Sequence, residues 1–302
     1  MNYIIGVDGG GTKTEATAYN FDGIALATGY SSYANVLIDA NSAINHITKA
    51  ITKCLASLDA QKCVCIYLGL AGIDSGAHRV ELEAKIQQFK IPFQIMNDVK
   101  LAHASLLKGS DGILTISGTG SVSFGIKGNY HEMSGGWGHL LGDEGSGYWI
   151  VIESLKKLIQ DYDSMKRYSN LSLKLMEALN IKAPSDIKRF IYSANKGAVA
   201  ALVPIIVKEA KNGDLQAQFI LNEAGIHLAK MTLRLYAKLN FEPLAQVLVG
   251  IKGSILEQID FVFKAFAKTV NGRIKNVQII NEQISATKGA YYLALKEQLI
   301  QK

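Results

Sequence analysis

The pattern of apolar and polar positions predicts that the chain opens with three antiparallel strands. Tyr3–Val7 is a short apolar run typical of a buried strand, and residues 12–19 alternate in polarity as a strand does. Asp22-Gly23 predicts a turn before a third strand at 24–29. Alternating helices and strands are then predicted at 41–58 (helix), 62–70 (strand), 79–89 (helix), 93–96 (strand) and from Val99 (helix).

The same order of elements starts again near Gly112. Strands are predicted at 112–117, 121–126 and near 130–133, followed by a largely helical stretch from 148 to 239. A strand at 246–249, a helix at 255–268, a strand at 277–280 and a helix at 285–299 complete the chain. We therefore predict an α/β protein with duplicated architecture, a helical insertion in its second half, and a ligand cleft between the halves.

A glycine-rich loop joins the first two predicted strands. Three consecutive glycines allow backbone N–H groups to approach an anion closely, and the neighbouring side chains add hydroxyl donors and a positive charge. Asp8, at the end of a strand, suits Mg²⁺, which prefers carboxylate and phosphate oxygens and keeps several waters. The loop lacks the spacing and the following helix of a Walker or dinucleotide motif, and a plain hairpin turn stays open as an alternative. The predicted phosphate-binding residues are Asp8, Gly9, Gly10, Gly11, Thr12, Lys13 and Thr14.

A second glycine-rich loop lies at the equivalent point of the second half. Two such loops, each opening one half, are stronger evidence for polyphosphate binding than either alone. Its residues are Ser117, Gly118, Thr119, Gly120 and Ser121. A later strand-to-helix turn with Gly250, Gly253 and Ser254 is a candidate site for a base and ribose, although such turns are also ordinary structure.

Two further segments carry candidate substrate residues. Asn97-Asp98 follows an apolar strand, where a carboxylate can accept a proton from a hydroxyl group; helix capping by Asp98 is the structural alternative. The segment 135–147 contains six glycines. It also carries Trp137, which can cover the apolar face of a sugar ring, and the carboxylates of Asp143 and Glu144, which can bind sugar hydroxyls or begin the next helix.

Composition narrows the class of protein. The 302 residues are 48% hydrophobic, enough for a sizeable core and two domains. The net charge of +6 comes without a basic run that alternates with aromatic residues, so no nucleic-acid partner is expected. The three cysteines, Cys54, Cys63 and Cys65, have spacings that fit neither a disulfide framework nor a zinc site. No apolar run is long enough to span a membrane. We expect a cytoplasmic protein with reduced thiols.

These motifs together resemble the N-acetylglucosamine kinase branch of the BadF/BadG/BcrA/BcrD ATPase family. The resemblance runs nearly end to end, and its most specific part is the string Gly-Gly-Trp-Gly-His-x-x-Gly-Asp-Glu-Gly-Ser at 135–146. It implies two RNase H-like domains of the actin-like ATPase fold around a nucleotide and sugar cleft. The domains are expected at 1–111, with the helix at 285–302 packing back onto them, and at 112–284.

The resemblance also implies the activity and the roles of residues. It implies transfer of phosphate from ATP·Mg²⁺ to the 6-hydroxyl of N-acetylglucosamine or a related amino sugar, with Asp98 as general base. The implied sugar-binding residues are Asn35, Asn97, Asp98, Thr119, Trp137, Gly138, His139, Asp143 and Glu144. Relatives are often dimers, so a homodimer is an expectation of the resemblance.

Several alternatives stay open at this point. N-acetylmuramic acid competes with N-acetylglucosamine as the acceptor, since some bacterial relatives accept both. Activators of acyl-CoA dehydratases share the family, but they bridge two subunits with cysteine-bound iron–sulfur clusters, and here no cysteine follows Cys65. A sugar sensor or partner-driving ATPase that does not phosphorylate sugar is the alternative of another class.

Overall fold

The computed structural model describes residues 1–36, 39–73, 76 and 78–301, which form two compact units. The first unit contains residues 1–110 and 282–302, and the second contains residues 111–281. The strands of the chain are β1 (Tyr3–Gly9), β2 (Lys13–Asn20), β3 (Ala25–Ser32), β4 (Cys63–Leu70), β5 (Phe93–Asn97), β6 (Gly112–Ser117), β7 (Ser121–Lys127), β8 (Tyr130–Gly135), β9 (Val247–Lys252) and β10 (Val277–Ile280). The helices are α1 (Ala40–Leu55), α2 (Arg79–Gln87), α3 (Asp98–Leu106), α4 (Gly147–Asp163), α5 (Asn170–Ala178), α6 (Ile187–Ser193), α7 (Lys196–Ala200), α8 (Val203–Lys211), α9 (Leu215–Lys238), α10 (Ser254–Gln258), α11 (Asp260–Asn271) and α12 (Gly289–Lys296).

Each unit is built on a five-stranded sheet, and the two sheets have the same topology. The strand order is β3-β2-β1-β4-β5 in the first unit and β8-β7-β6-β9-β10 in the second. In both, the first three strands are antiparallel and the last two join them in parallel. The predicted α/β fold with duplicated architecture is therefore confirmed.

The sheet of the first unit is covered by helices on both faces, because β1 is apolar on both faces. Ile5 packs in the core that contains α1, and Ile4 packs in the separate core that contains α3 and α12. At Gly6 an added Cβ would lie 2.0 Å from the carbonyl oxygen of Thr287, so only glycine allows the segment before α12 to approach β1 this closely.

The second unit has one large apolar core. It joins residues of β9 to residues of α4, α5, α8, α9 and α11, and α9 is the longest of the described helices. Asp214 starts α9 by accepting hydrogen bonds from the N–H groups of Gln216 and Ala217. Helices α5 to α8 form the insertion that has no counterpart in the first unit.

The boundaries of some elements differ from the sequence predictions. The predicted helix at 255–268 is two helices, because buried Ile259 adopts an extended backbone with φ −106° and ψ 99° between α10 and α11. The final predicted helix begins as a 3₁₀ turn at Ala286–Lys288 before α12. Cys54, Cys63 and Cys65 are all buried and free, and burial raises the pKa of each thiol, to about 12 for Cys63.

Within the described part of the chain, no helix combines the length and the hydropathy needed to cross a bilayer.

Candidate functional site

The first glycine-rich loop lies between β1 and β2 and is held from two sides. The Gly10 carbonyl accepts a hydrogen bond from the Ala34 N–H, and the Gly9 carbonyl accepts one from the Ala71 N–H, both at 2.9 Å. At its tip, a Cβ added to Gly11 would meet no atom within 4 Å. The loop is thus fixed at its base and open at its tip, which is the shape needed to receive an anion.

The half-buried Asn35 follows directly after Ala34, which is bonded to this loop. Its segment is also held by His46, whose Nδ1 lies 2.7 Å from the carbonyl oxygen of Tyr33. Local folding therefore brings this predicted sugar-binding residue beside the first loop.

Asp8 lies at the end of β1 among other carboxylates. It pairs with Glu15 across β1 and β2, and cross-strand partners point to the same face of the sheet. Burial, together with the negative charges of Asp98 and Glu15, raises the pKa of Asp8 to about 7, and the positive charge of Lys13 opposes this shift. The proximity of Asp8 and Asp98 unites two residues that are 90 positions apart in the sequence and that were predicted separately.

Buried Glu15 was not among the predicted site residues. It accepts hydrogen bonds from Ser285 Oγ at 2.7 Å and Lys13 Nζ at 3.1 Å. It therefore ties the first loop to the segment before α12. Its signal in the sequence is weak, because Glu15 stands out only as the one acidic residue of β2.

Asn97 and Asp98 end β5 and begin α3. The N-cap of α3 is Asn97, whose side chain accepts a hydrogen bond from the Val99 N–H at 2.8 Å. The alternative drawn from the sequence, that Asp98 is the N-cap, is therefore wrong by one residue. One carboxylate oxygen of Asp98 also lies 3.0 Å from the same N–H. Asp98 is the first residue of the helix, where the helix dipole favours a negative charge.

The second loop, between β6 and β7, is bonded to the segment 143–148. Ser117 Oγ donates to the Gly145 carbonyl and Ser121 Oγ donates to the Glu144 carbonyl, both at 2.9 Å. The Gly147 N–H donates to the Gly118 carbonyl at 2.8 Å. Two motifs that were predicted independently therefore form one structure.

Asp143 lies at the centre of this structure, with only 3% of its surface exposed. It adopts a left-handed backbone with φ 63°. One carboxylate oxygen accepts the Ser121 N–H at 3.2 Å, and the other accepts Lys196 Nζ at 2.6 Å. The sequence did not reveal Lys196, which belongs to α7, 53 residues further along the chain.

The rest of the segment 135–147 is more open. Trp137 is 75% exposed, as a residue that covers a ligand's apolar face can be. The His139 ring packs edge-on against Tyr148, with 4.7 Å between centroids, which gives it a structural contact. Trp137 Cβ and the Glu144 carboxylate both lie 3.6 Å from a Cβ added at Gly142, so the loop brings these two side chains to one place.

A cavity of about 700 Å³ opens beside the second loop, entirely within the second unit. Gly118 and Thr119 line one part of it, and Ser254 and Ile255 at the start of α10 line another. Its remaining wall was not predicted: it comes from α7 and α8 and includes Ala200, Val203, Pro204, Val207, Lys208 and Lys211. The size and the mostly apolar lining suit a small ligand with an aromatic base.

Of the turn that was predicted to bind a base and ribose (Gly250, Gly253 and Ser254), Ser254 lines this cavity. Gly253 has φ 94°, and a Cβ added to it would lie 2.2 Å from the Ser117 carbonyl oxygen, so the turn packs directly on the second loop. Gly250, in contrast, lies inside β9, paired with Leu114 and Ile280.

The fold is that of actin-like sugar kinases. It occurs in the crystal structure of a protein from Chromobacterium violaceum assigned as an N-acetylglucosamine kinase, with a TM-score of 0.75 and 22% identity, covering 97% of this chain and 99% of that one. Residues 5–294 match the BadF/BadG/BcrA/BcrD ATPase family, and the chain belongs to that family.

Two relatives match over nearly their whole length. The N-acetylmuramic acid/N-acetylglucosamine kinase of Clostridium acetobutylicum is 28% identical over 305 residues, covering 98% of this chain and 99% of the relative. The N-acetyl-D-glucosamine kinase of Dictyostelium discoideum is 27% identical over 309 residues, covering 96% and 97%.

Proposed function

We propose that this protein is an ATP-dependent sugar kinase that phosphorylates the 6-hydroxyl of N-acetylglucosamine or a related amino sugar. The observation that carries the proposal is the pair of glycine-rich loops at equivalent positions of two duplicated sheets, with a carboxylate pair beside one and a nucleoside-sized cavity beside the other. Membership in an ATPase family and the activities named for the relatives support it.

The nucleotide has a binding place within the second unit. We assign adenosine to the 700 Å³ cavity and its phosphates to the second loop, which lines one part of that cavity. The backbone N–H groups and hydroxyls of Ser117, Gly118, Thr119, Gly120 and Ser121 supply the donors for the phosphate oxygens. The first loop, with Thr12, Lys13 and Thr14, is assigned to the terminal phosphate.

Asp8 is the residue that fits Mg²⁺. Burial raises the pKa of its carboxyl group, the nearby negative charges of Asp98 and Glu15 act in the same direction, and a cation would relieve this excess of negative charge. Among the described residues no group of three or more His, Cys, Asp or Glu side chains is arranged to hold a metal. Mg²⁺ is commonly held by one or two carboxylates together with waters and nucleotide phosphates. When bound, Mg²⁺ neutralises charge on the phosphates during transfer.

The chemical step is assigned to Asp98. Its carboxylate, at the start of α3, accepts the proton of the sugar's 6-hydroxyl. The oxygen of that hydroxyl forms a bond to the γ-phosphorus while the bond between the γ-phosphorus and the bridging oxygen of ADP breaks. Asn35, Asn97, Thr119, Trp137, Gly138, His139, Asp143 and Glu144 are the proposed sugar-binding residues. We take the two compact units as the two domains of the kinase, and the buried, free cysteines fit a cytoplasmic enzyme.

N-acetylmuramic acid is the second candidate acceptor, because the Clostridium acetobutylicum relative is named for both sugars. A coupled ADP-release assay with Mg·ATP distinguishes the candidates. It compares N-acetylglucosamine, N-acetylmuramic acid, N-acetylmannosamine, glucosamine, glucose and no sugar.

We expect turnover only with N-acetylated sugars. Equal rates with N-acetylmuramic acid and N-acetylglucosamine would assign the enzyme to both. ADP release that does not depend on sugar would refute the kinase and favour an ATPase that drives a partner.

A further inference from the structure

Lys196 lies against the tip of the second glycine-rich loop, although it belongs to the helical insertion. A Cβ added to Gly120 would lie 2.5 Å from Lys196 Nζ, so the ammonium group packs directly on the Gly120 backbone. The same added Cβ would lie 3.0 Å from an oxygen of Asp143. Glycine at position 120 is therefore what allows the lysine and the aspartate to meet at the loop.

The ammonium group keeps capacity for a ligand. Lys196 donates to Asp143 Oδ2 at 2.6 Å, and among the described residues this is the one hydrogen-bond acceptor that the structure gives it. An ammonium group carries three N–H donors. The Lys196 side chain is 30% exposed, whereas that of Asp143 is 3% exposed, so the cation is the accessible member of the pair.

The position of Lys196 relative to the cavity identifies the ligand class. Gly118 and Thr119 of the loop line the cavity, and so do Gly197 and Ala200 of α7. Lys196 directly precedes Gly197 and packs on the loop residue that directly follows Thr119. A nucleoside in the cavity with its phosphates along the loop therefore brings the phosphate chain toward a positive charge.

We propose that Lys196 is a phosphate-binding residue that contacts the β- and γ-phosphate oxygens of the nucleotide, while its bond to Asp143 holds it at the loop. This inference rests on the proposed nucleotide site and adds a residue to it. Lys196 also links the phosphate loop to the segment 135–147 through Asp143, which is bonded to both the lysine and the Ser121 N–H.

The test measures nucleotide binding by calorimetry without any sugar. Lys196→Met alone leaves a buried carboxylate without its cation, which can destabilise the fold. The informative comparison is therefore Asp143→Asn against the double variant Lys196→Met/Asp143→Asn. The two variants differ only in the ammonium group of Lys196, and neither leaves a buried carboxylate at position 143. The ligands are Mg·AMPPNP, a non-hydrolysable ATP analogue, and AMP, which lacks the β- and γ-phosphates.

We expect the double variant to bind Mg·AMPPNP about 10- to 100-fold more weakly than Asp143→Asn, as is typical for loss of a hydrogen bond to a charged group. Its affinity for AMP should change less than about threefold, and Lys196→Arg should retain most of the affinity for Mg·AMPPNP because it keeps the charge.

Equal affinity of Asp143→Asn and the double variant for Mg·AMPPNP would overturn the inference, because the lysine would then serve only to pair Asp143. A parallel loss of AMP affinity would also overturn it, because the cavity itself would be damaged. If the wild-type protein binds AMPPNP through Lys196 but phosphorylates no sugar, the inference stands and the proposed sugar kinase activity fails.

Discussion

The contact between Gly253 and the second loop predicts that Gly253→Ala disrupts the second unit more than an equivalent change elsewhere. Gly253 has φ 94°, and a Cβ added there would lie 2.2 Å from the carbonyl oxygen of Ser117. That oxygen would have to retreat by more than about 1 Å to reach ordinary van der Waals contact. Ser117 is fully buried and bonded through its Oγ to the Gly145 carbonyl, so it cannot retreat freely.

Gly213 provides a matched control within the same unit. It also has φ 94°, but a Cβ added there would meet nothing within 4 Å. Both alanine variants carry the backbone strain of a positive φ, and Gly253, with ψ 145°, lies in a region that essentially only glycine adopts, where the strain is about 1–3 kcal/mol. In both variants alanine also reduces the conformational entropy of the unfolded chain, which raises the free energy of unfolding by about 0.4–1 kcal/mol. The gain from the unfolded chain cancels in the comparison, which leaves the steric overlap at Gly253, about 1–3 kcal/mol, and any extra backbone strain there acts in the same direction.

Urea unfolding of the two variants measures this difference. We expect Gly253→Ala to have a free energy of unfolding lower than that of Gly213→Ala by about 1–3 kcal/mol. We also expect Gly253→Ala to bind Mg·AMPPNP more weakly, because Ser117 belongs to the proposed phosphate loop. Equal unfolding free energies would show that Gly253 does not pack on Ser117, and the assignment of this turn to the nucleotide site would then lose its support.

Three further predictions follow from the site. Asp98→Asn should lower kcat by at least about 100-fold while sugar affinity stays within about tenfold, as expected for loss of a general base; near-wild-type turnover would remove Asp98 from that role. The pKa of Asp8 is raised to about 7, so the folded protein binds more protons than the unfolded chain between about pH 4 and pH 7, and this group's contribution to stability falls as pH rises through that range. Without Mg²⁺ or nucleotide, Asp8→Asn should therefore stabilise the protein relative to wild type more at pH 8 than at pH 5 in urea unfolding, and an unchanged difference would contradict the carboxylate cluster. Val207→Trp, which fills the cavity, should weaken ATP binding at least about tenfold in calorimetry, whereas Val80→Trp at an exposed position of the first unit should not; equal affinities would place the nucleotide elsewhere.

The strands and the glycine-rich loops could be predicted from the sequence because their signals are local. Alternating polarity in β2, the glycine run at 9–11 and the Gly-Thr-Gly sequence at 118–120 are visible within about ten residues. The equivalence of the two sheets followed from repeating those local signals. The capping alternative for α3 was placed at Asp98, one residue after the actual N-cap Asn97, because neighbouring Asn and Asp are both good capping residues and sequence alone does not choose between them.

The partners of the site residues could not be predicted, because they come from distant parts of the chain. Lys196 meets Asp143 across 53 residues, and Ser285 meets Glu15 across 270. The sequences of α7 and α8, which form one wall of the cavity, have the pattern of ordinary amphipathic helices. Only the fold brings them beside Gly118. Such contacts depend on tertiary packing, which no local pattern encodes.

The central claim is that phosphate passes from ATP to the 6-hydroxyl of an amino sugar. Phosphorus NMR of a reaction of wild-type protein with Mg·ATP and N-acetylglucosamine, followed to completion, tests it most directly. The account predicts one sugar 6-phosphate for each ADP formed, with little inorganic phosphate and no reaction without sugar. ADP accompanied by inorganic phosphate at the same rate with and without sugar would contradict the account.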